Sequence, residues 1–242
     1  MPQCKLCDHD VDKLAESHIL PKSFYGEAFV DPNGPAKLLS SDPNARPTRT
    51  RTGEYDSNLL CRQCEASLSD YDDYAHTVLF KTAPAETILF NGQAHVARFE
   101  QIDTEKLRIF FVSLLWRMHA TDRAMFSSVK LGDYGSLFKQ ATLEKNPNLV
   151  PQMDAVIAKY DNTNTAVLGP RRRRFEGVNG YHISFAGGMC WIKIDNRPMP
   201  DCFSEIGLSR GSPIHLLLRD FSSSPERVDM TKLALQHRMK RT

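Results

Sequence analysis

No apolar run in this chain of 242 residues approaches the roughly 18 residues that a helix needs to cross a bilayer. The polar start Met1-Pro2-Gln3-Cys4 also lacks the basic-then-apolar profile of a secretory signal. A cytoplasmic chain with no membrane partner is therefore expected. Internal repeats are absent, and so is a dominant charge: the formal net charge is +2, too small to name a partner by itself. The composition is ordinary for a globular chain of one large or about two to three small domains, long enough to bury a core of its own.

Cysteine is scarce, but its placement is informative. Of the six cysteines, Cys4 and Cys7 form one Cys-x-x-Cys pair, and Cys61 and Cys64 form another. Disulfides are disfavoured in a cytosolic chain. Thiolates two residues apart can instead share a tetrahedral ion while backbone amides point toward the sulfurs. Two such pairs predict one Zn2+ held by Cys4, Cys7, Cys61 and Cys64. With four protein ligands the site has no open position, so that zinc is structural. Cys190 and Cys202 stand alone and read as buried or half-buried thiols.

The charge is uneven along the chain. Residues 1–83 carry 9 Lys and Arg against 13 Asp and Glu, whereas residues 169–242 carry 13 against 7. If the partner is nucleic acid, the phosphate grip is expected mainly from the C-terminal part. There Arg171, Arg172, Arg173 and Arg174 form a run between a polar linker and a predicted strand. Such a run is either a solvated face or a phosphate-gripping edge.

Pattern divides the chain into three stretches. Residues 1–83 hold both cysteine pairs, a loop from Phe24 to Gly53 rich in Pro, Gly, Asn and Ser, and a helix from Glu65 onward that Pro84 stops. That loop carries Arg46, Arg49 and Arg51, and so long an insertion is either functional or solvated. Residues 84–168 open with a short strand at Thr87–Phe90 and a turn at Asn91-Gly92. A helix follows, capped by Asp103 or Thr104, with Leu107, Phe110, Phe111, Leu114, Leu115 and Met118 on one stripe. Trp116, Arg117 and His119 are read as off that stripe, at a surface or interdomain contact. Helical patterns are also read at 134–145 and 152–160. Residues 169–242 hold a hairpin of Tyr181–Phe185 and Met189–Ile194, a strand at Ile214–Leu218, and a basic helix over Pro225–Met239. The fold class expected is α+β.

Three tracts together resemble a known family. Cys4-Lys5-Leu6-Cys7, Ser17-His18-Ile19-Leu20-Pro21-Lys22 and Leu59-Leu60-Cys61-Arg62-Gln63-Cys64-Glu65 stand in the order and spacing of the zinc-bearing, four-cysteine branch of the HNH endonucleases, also called His-Me finger or ββα-metal nucleases. More narrowly, with Ser113-Leu114-Leu115-Trp116-Arg117, the chain resembles bacterial proteins that share the Ser-His-Ile-x-Pro-Lys tract, a likeness that brings no known activity. The nuclease resemblance covers the first third of the chain. It implies an N-terminal zinc-bound ββα finger at 1–83, which the sequence pattern continues with a helical region at 84–168 and a small β-rich region with a terminal helix at 169–242.

The resemblance also implies a chemistry. His18 falls at the position of the general base, whose imidazole is suited to that task near neutral pH and is oriented by a backbone carbonyl. Otherwise it is a hydrogen-bonded structural histidine. Ser17 stands where a ligand of the catalytic ion is common, and Glu65 where the last histidine is expected. Glu65 could hold Mg2+ or Mn2+, with Asp72, Asp73 or His76 further along the helix, or it could serve only the helix N-terminus. Asn58 is either the asparagine that braces the base-bearing loop or a turn residue. Lys22, Arg49, Arg51 and Arg62 are either phosphate contacts or surface cations. The expected function is a metal-dependent nuclease acting on DNA, with RNA as the other substrate. By analogy it would be an effector subunit of a bacterial defence or toxin system with an ATPase as protein partner. The alternative is a non-catalytic zinc-finger module that binds nucleic acid or a protein.

Overall fold

Four very short strands open the fold: β1 (Ser17–His18), β2 (Ala36–Leu38), β3 (Thr48–Thr50) and β4 (Tyr55–Asp56). The computed structural model describes residues 1–29, 36–38, 48–50, 52–160, 167–224, 227–229, 231–232 and 235. Strand β1 pairs antiparallel with β4, setting Ser17 opposite Asp56 and His18 opposite Tyr55. It is cut short by Pro21, which has no N–H to give a ladder, and the chain turns into a 3-10 stretch at Lys22–Phe29. Within the loop expected from Phe24 to Gly53, β2 pairs antiparallel with β3. Arg46 and Arg51 lie outside the described residues, and so does most of the basic helix expected over Pro225–Met239.

Helix α1 (Arg62–His76) starts at Cys61, whose sulfur accepts the N–H of Cys64 at 3.4 Å, as a helix-capping side chain does. Leu68 and Ala75 are buried along it, and Val78 and Leu79 continue that face through a π-turn at Thr77–Lys81. Next come β5 (Glu86–Phe90) and β6 (Gln93–Phe99), then α2 (Thr104–Ala120), capped by the Asp103 carboxylate on the Lys106 N–H at 3.0 Å. A shorter helix, α3 (Gly135–Glu144), lies against α2.

The remaining strands are β7 (Asp154–Tyr160), β8 (Arg171–Phe175), β9 (Val178–Phe185), β10 (Gly188–Lys193) and β11 (Ile214–Arg219). With β5 and β6 they form a seven-stranded sheet in the order β5-β6-β11-β7-β10-β9-β8. Neighbours run antiparallel except β11 and β7. The sheet corrects three expectations. Residues 152–160, read as helical, hold β7: its Ala155-Val156-Ile157-Ala158 run is buried on both faces, and such a run carries no alternation to tell a strand from a buried helix. The arginine run does not precede a strand; it is the edge strand β8. The middle stretch, expected to be helical after a strand at Thr87–Phe90, has that strand as β5 and supplies β6 and β7 as well. One apolar core runs from the first cysteine pair through α2 to Leu216 of β11. No helix among the described residues is long and apolar enough to cross a membrane.

Helix α2 is buried on nearly every face, between α1, α3 and β7. A helix enclosed in this way has no outer surface for residues off the apolar stripe. Trp116 and Arg117, expected at a surface or interdomain contact, are therefore inside the core, 2% and 1% exposed. Arg117 follows Phe110 by seven residues and Leu114 by three, so it shares their face. Its guanidinium donates from Nη1 and Nη2 to the two carboxylate oxygens of Asp72 at 2.9 and 2.7 Å, and from Nη1 to the carbonyl of His18 at 3.2 Å. One buried cation thereby joins α2, α1 and β1.

Removing it strands a carboxylate. Arg117→Met is expected to lose about 3–5 kcal/mol in urea unfolding, and Arg117→Met combined with Asp72→Leu to recover most of that. A double variant no more stable than the single one would show that the pair is not what holds these elements.

Candidate functional site

The two cysteine pairs meet. The ligand atoms of Cys4, Cys7, Cys61 and Cys64 all lie within 4.8 Å of one another, and the sulfurs of Cys7 and Cys61 are 4.0 Å apart. A tetrahedral ion with sulfurs at about 2.3 Å would space them at about 3.8 Å, so the cluster is able to hold a metal ion such as zinc. The chain builds it from both ends. The knuckle closes through the Asp8 N–H on the Cys4 carbonyl, and Asp8 takes a left-handed φ of 59°. The Lys5 N–H donates to Leu59 O, the Ala15 N–H donates to Leu60 O, and Leu14 bridges Cys61. The Cys61 N–H donates to the Cys4 sulfur at 3.2 Å.

Burial and the neighbouring sulfurs push Cys7 and Cys64 up. Burial opposes Cys4 as well, but the amides of Cys7, Cys61 and Leu6 outweigh it and hold that thiol down to about 7. A cation shared by four thiolates relieves this repulsion. Cys190 and Cys202 are free thiols outside the cluster; Cys190 is buried, but Cys202 is exposed where a buried or half-buried thiol was expected.

Beside this centre lies an open cleft of about 480 Å³ lined by His18, Pro21, Lys22, Ser23, Gly26, Glu65, Ser69, Asp72 and Asp73. The half-buried His18 ring enters it from the end of β1. Its Nε2 is 3.0 Å from the carbonyl oxygen of Thr52. A carbonyl can only accept, so Nε2 carries the proton and Nδ1 keeps its lone pair. The turn that presents Thr52 is held by the Thr50 hydroxyl, which accepts the N–H groups of Thr52 and Gly53 and donates to Gly53 O. Gly53 is required there. At its φ of 95° an added Cβ would stand 2.2 Å from the buried Tyr25 ring. Burial holds the His18 imidazole below its ordinary 6.5, against the pull of Thr52 and Glu65, and the charges of Lys22 and Arg117 act in the same direction as burial.

Opposite His18 the cleft wall is acidic. Asp72 spends both oxygens on Arg117. Asp73 is exposed, while Glu65 has a buried Oε2 with no hydrogen-bond partner. Among the described residues the four cysteines are the one group of three or more His, Cys, Asp or Glu ligand atoms close enough to hold a metal.

The other residues singled out from sequence are dispersed. Ser17 is fully buried with an unpartnered Oγ, away from the cleft. Asn58 is exposed in the turn after β4, where its N–H donates to Asp56, and it does not line the cleft. His76 stands off the cleft, tilted against the rings of Phe24 and Phe80. Arg62 is exposed at the start of α1, and the backbone of Arg49 pairs with Lys37 in β3. Arg171, Arg172 and Arg173 lie on β8. The Thr52 carbonyl was invisible in the sequence because a backbone acceptor has no residue signature. Arg117 did have a signal, in its spacing from Phe110 and Leu114.

No family model, curated protein or solved structure matches this chain.

Purified protein is expected to carry about one zinc per chain by inductively coupled plasma mass spectrometry, with Cys61→Ser losing both the metal and thermal stability. Metal content that Cys61→Ser leaves unchanged would refute the four-thiolate centre.

Proposed function

We propose that the chain is a nuclease that hydrolyses phosphodiester bonds of DNA, with RNA as the other candidate substrate, and that His18 is its general base. The observation that carries this is the Nε2 contact to Thr52, which leaves a basic Nδ1 on an imidazole set in the wall of a cleft. Held neutral by burial, that nitrogen can take a proton from water as the oxygen attacks phosphorus and the 3′ oxygen departs. Lys22, exposed on the same wall, is suited to a phosphate oxygen. The order β1, β4 and α1, with one cysteine pair ahead of β1 and the other at the start of α1, supports reading residues 1–83 as a ββα finger built around a structural zinc.

A hydrated Mg2+ or Mn2+ needs only one or two carboxylates from protein. Glu65 is the residue that would hold it, since its buried oxygen lacks a partner, and the ion would neutralise charge gathering on the phosphate and leaving oxygen. Asp72 is unsuited to that role because Arg117 occupies both of its oxygens.

The buried Ser17 and the lack of a three-ligand group at the cleft favour a second reading, a non-catalytic module that binds nucleic acid or a protein through the same surfaces. Cleavage assays on plasmid, duplex and RNA, with and without Mg2+ or Mn2+, separate the two. His18→Ala is expected to lower the rate about 10²–10⁴-fold, with zinc content and melting temperature preserved. Cleavage undiminished in His18→Ala would overturn the assignment.

The pH profile follows from the lowered imidazole. A base works when deprotonated, and a depressed pKa keeps it deprotonated to lower pH. The acid limb of kcat/KM is therefore expected to fall at a midpoint below the ordinary histidine value of 6.5, and a midpoint above it would contradict the buried His18.

A further inference from the structure

The edge strand β8 carries four consecutive guanidinium groups, and among the described residues its only strand partner is β9. Successive side chains on a strand point to opposite faces. Arg171 and Arg173 thus share one face, and Arg172 and Arg174 the other. Arg172 and Arg174 both reach the amide oxygen of Asn179, at 3.5 and 2.7 Å, a neutral acceptor that leaves their charge in place. Arg171 and Arg173 both donate to one oxygen, Oδ2 of Asp229, at 2.5 and 2.8 Å.

Among the described residues this arrangement is short of negative charge. Two guanidiniums share one carboxylate oxygen, and Nη2 of Arg171 is buried with no hydrogen-bond partner. A buried donor left unpaired is costly. A phosphate group, with more oxygens and a tetrahedral spread, could accept from both arginines and from the orphaned Nη2 together. Asp229 meets only part of that demand.

Strand β8 also leads toward the cleft. Arg171 stands opposite His182 of β9. Phe185 lies three residues further along β9, about 10 Å at the rise of a strand. Its ring packs against Phe24 and Phe80, and the N–H of Ala186 donates to the carbonyl of Phe24. Phe24 is two residues past Lys22 in the cleft wall.

We propose that Arg171 and Arg173 form a binding site for a backbone phosphate of nucleic acid, and that Asp229 occupies it as an internal competitor which nucleic acid must displace. The proposal rests on the nucleic-acid part of the function given above, but not on cleavage. Exchanging the carboxylate for a phosphate breaks no covalent bond. It trades two ion pairs, partly exposed in the free protein, for contacts that release counterions from the nucleic acid.

The test measures binding of labelled duplex DNA, single-stranded DNA and RNA by fluorescence anisotropy, at about 50 mM salt and without added Mg2+. Asp229→Asn is expected to tighten binding roughly three- to ten-fold, and the gain is expected to vanish when Arg171→Gln and Arg173→Gln are also present. Asp229→Ser repeats the measurement with a shorter side chain, and melting temperatures confirm that each variant is folded. A gain that survives in the arginine-substituted background reflects bulk charge alone and overturns the proposal. So does an Asp229→Asn protein that binds no tighter than wild type, or a wild type that binds none of the three probes. Tighter binding by Asp229→Asn in a protein that never cleaves sustains this site while removing the nuclease assignment. Cleavage with no gain from Asp229→Asn does the reverse.

Discussion

A guanidinium taken out of water must be paired, and at Arg117 that requirement joins parts of the chain distant in sequence. The side chain lies inside the protein with both carboxylate oxygens of Asp72 and the carbonyl of His18 as acceptors. An unpaired charge there would be worse than no charge at all, so α1, α2 and β1 are held in one relative arrangement. The ring of His18 and the residues of α1 face each other across the cleft because of it. The pair also explains why an acidic face on α1 is not simply solvated.

The four-thiol cluster acts on the same elements from the other side. Cys61 caps α1 while Cys4 accepts its N–H, so the knuckle and the helix start share one centre. That fixes where Glu65 emerges, one residue after Cys64, next to the strand that carries His18. Elements as short as β1 and β4 have little apolar area of their own to order such a junction. Here the cysteines Cys4, Cys61 and Cys64 are part of the apolar core that continues into α2 and the sheet. The four-thiol cluster, the buried ion pair and the core thus constrain one cleft from three directions. The sheet adds an edge of positive charge at β8, connected to the cleft through the β9–β10 hairpin.

Much of this was legible in the chain itself. The paired cysteines, the stripe from Leu107 to Met118, the hairpin about Ala186-Gly187 and the strand at Ile214 each carry a local pattern, and the structure has each of them. Where the pattern failed, burial on several faces was the cause. Strand β7 is covered on both sides and loses the alternation that marks a strand. Helix α2 is enclosed, so Arg117 sits among apolar residues where a charge is expected to face water. The arginine run read as a prelude to a strand because charge obscured its extended conformation, which pairing with β9 supplies.

The sequence by itself determined which side chains can bind a soft cation, since each Cys-x-x-Cys turn needs only local geometry to point its own two sulfurs together. It also determined where His18 lies relative to Pro21, and so where β1 must end. Only the tertiary structure decided what His18 faces. A histidine becomes a base, a ligand or a packing residue according to which acceptor meets each ring nitrogen, and that acceptor is a carbonyl from Thr52, which the turn at Gly53 presents. Tertiary structure likewise decided that Asp72 belongs to Arg117 and that Glu65 keeps a free oxygen. Such pairings depend on contacts between residues far apart in the chain, which no local pattern records.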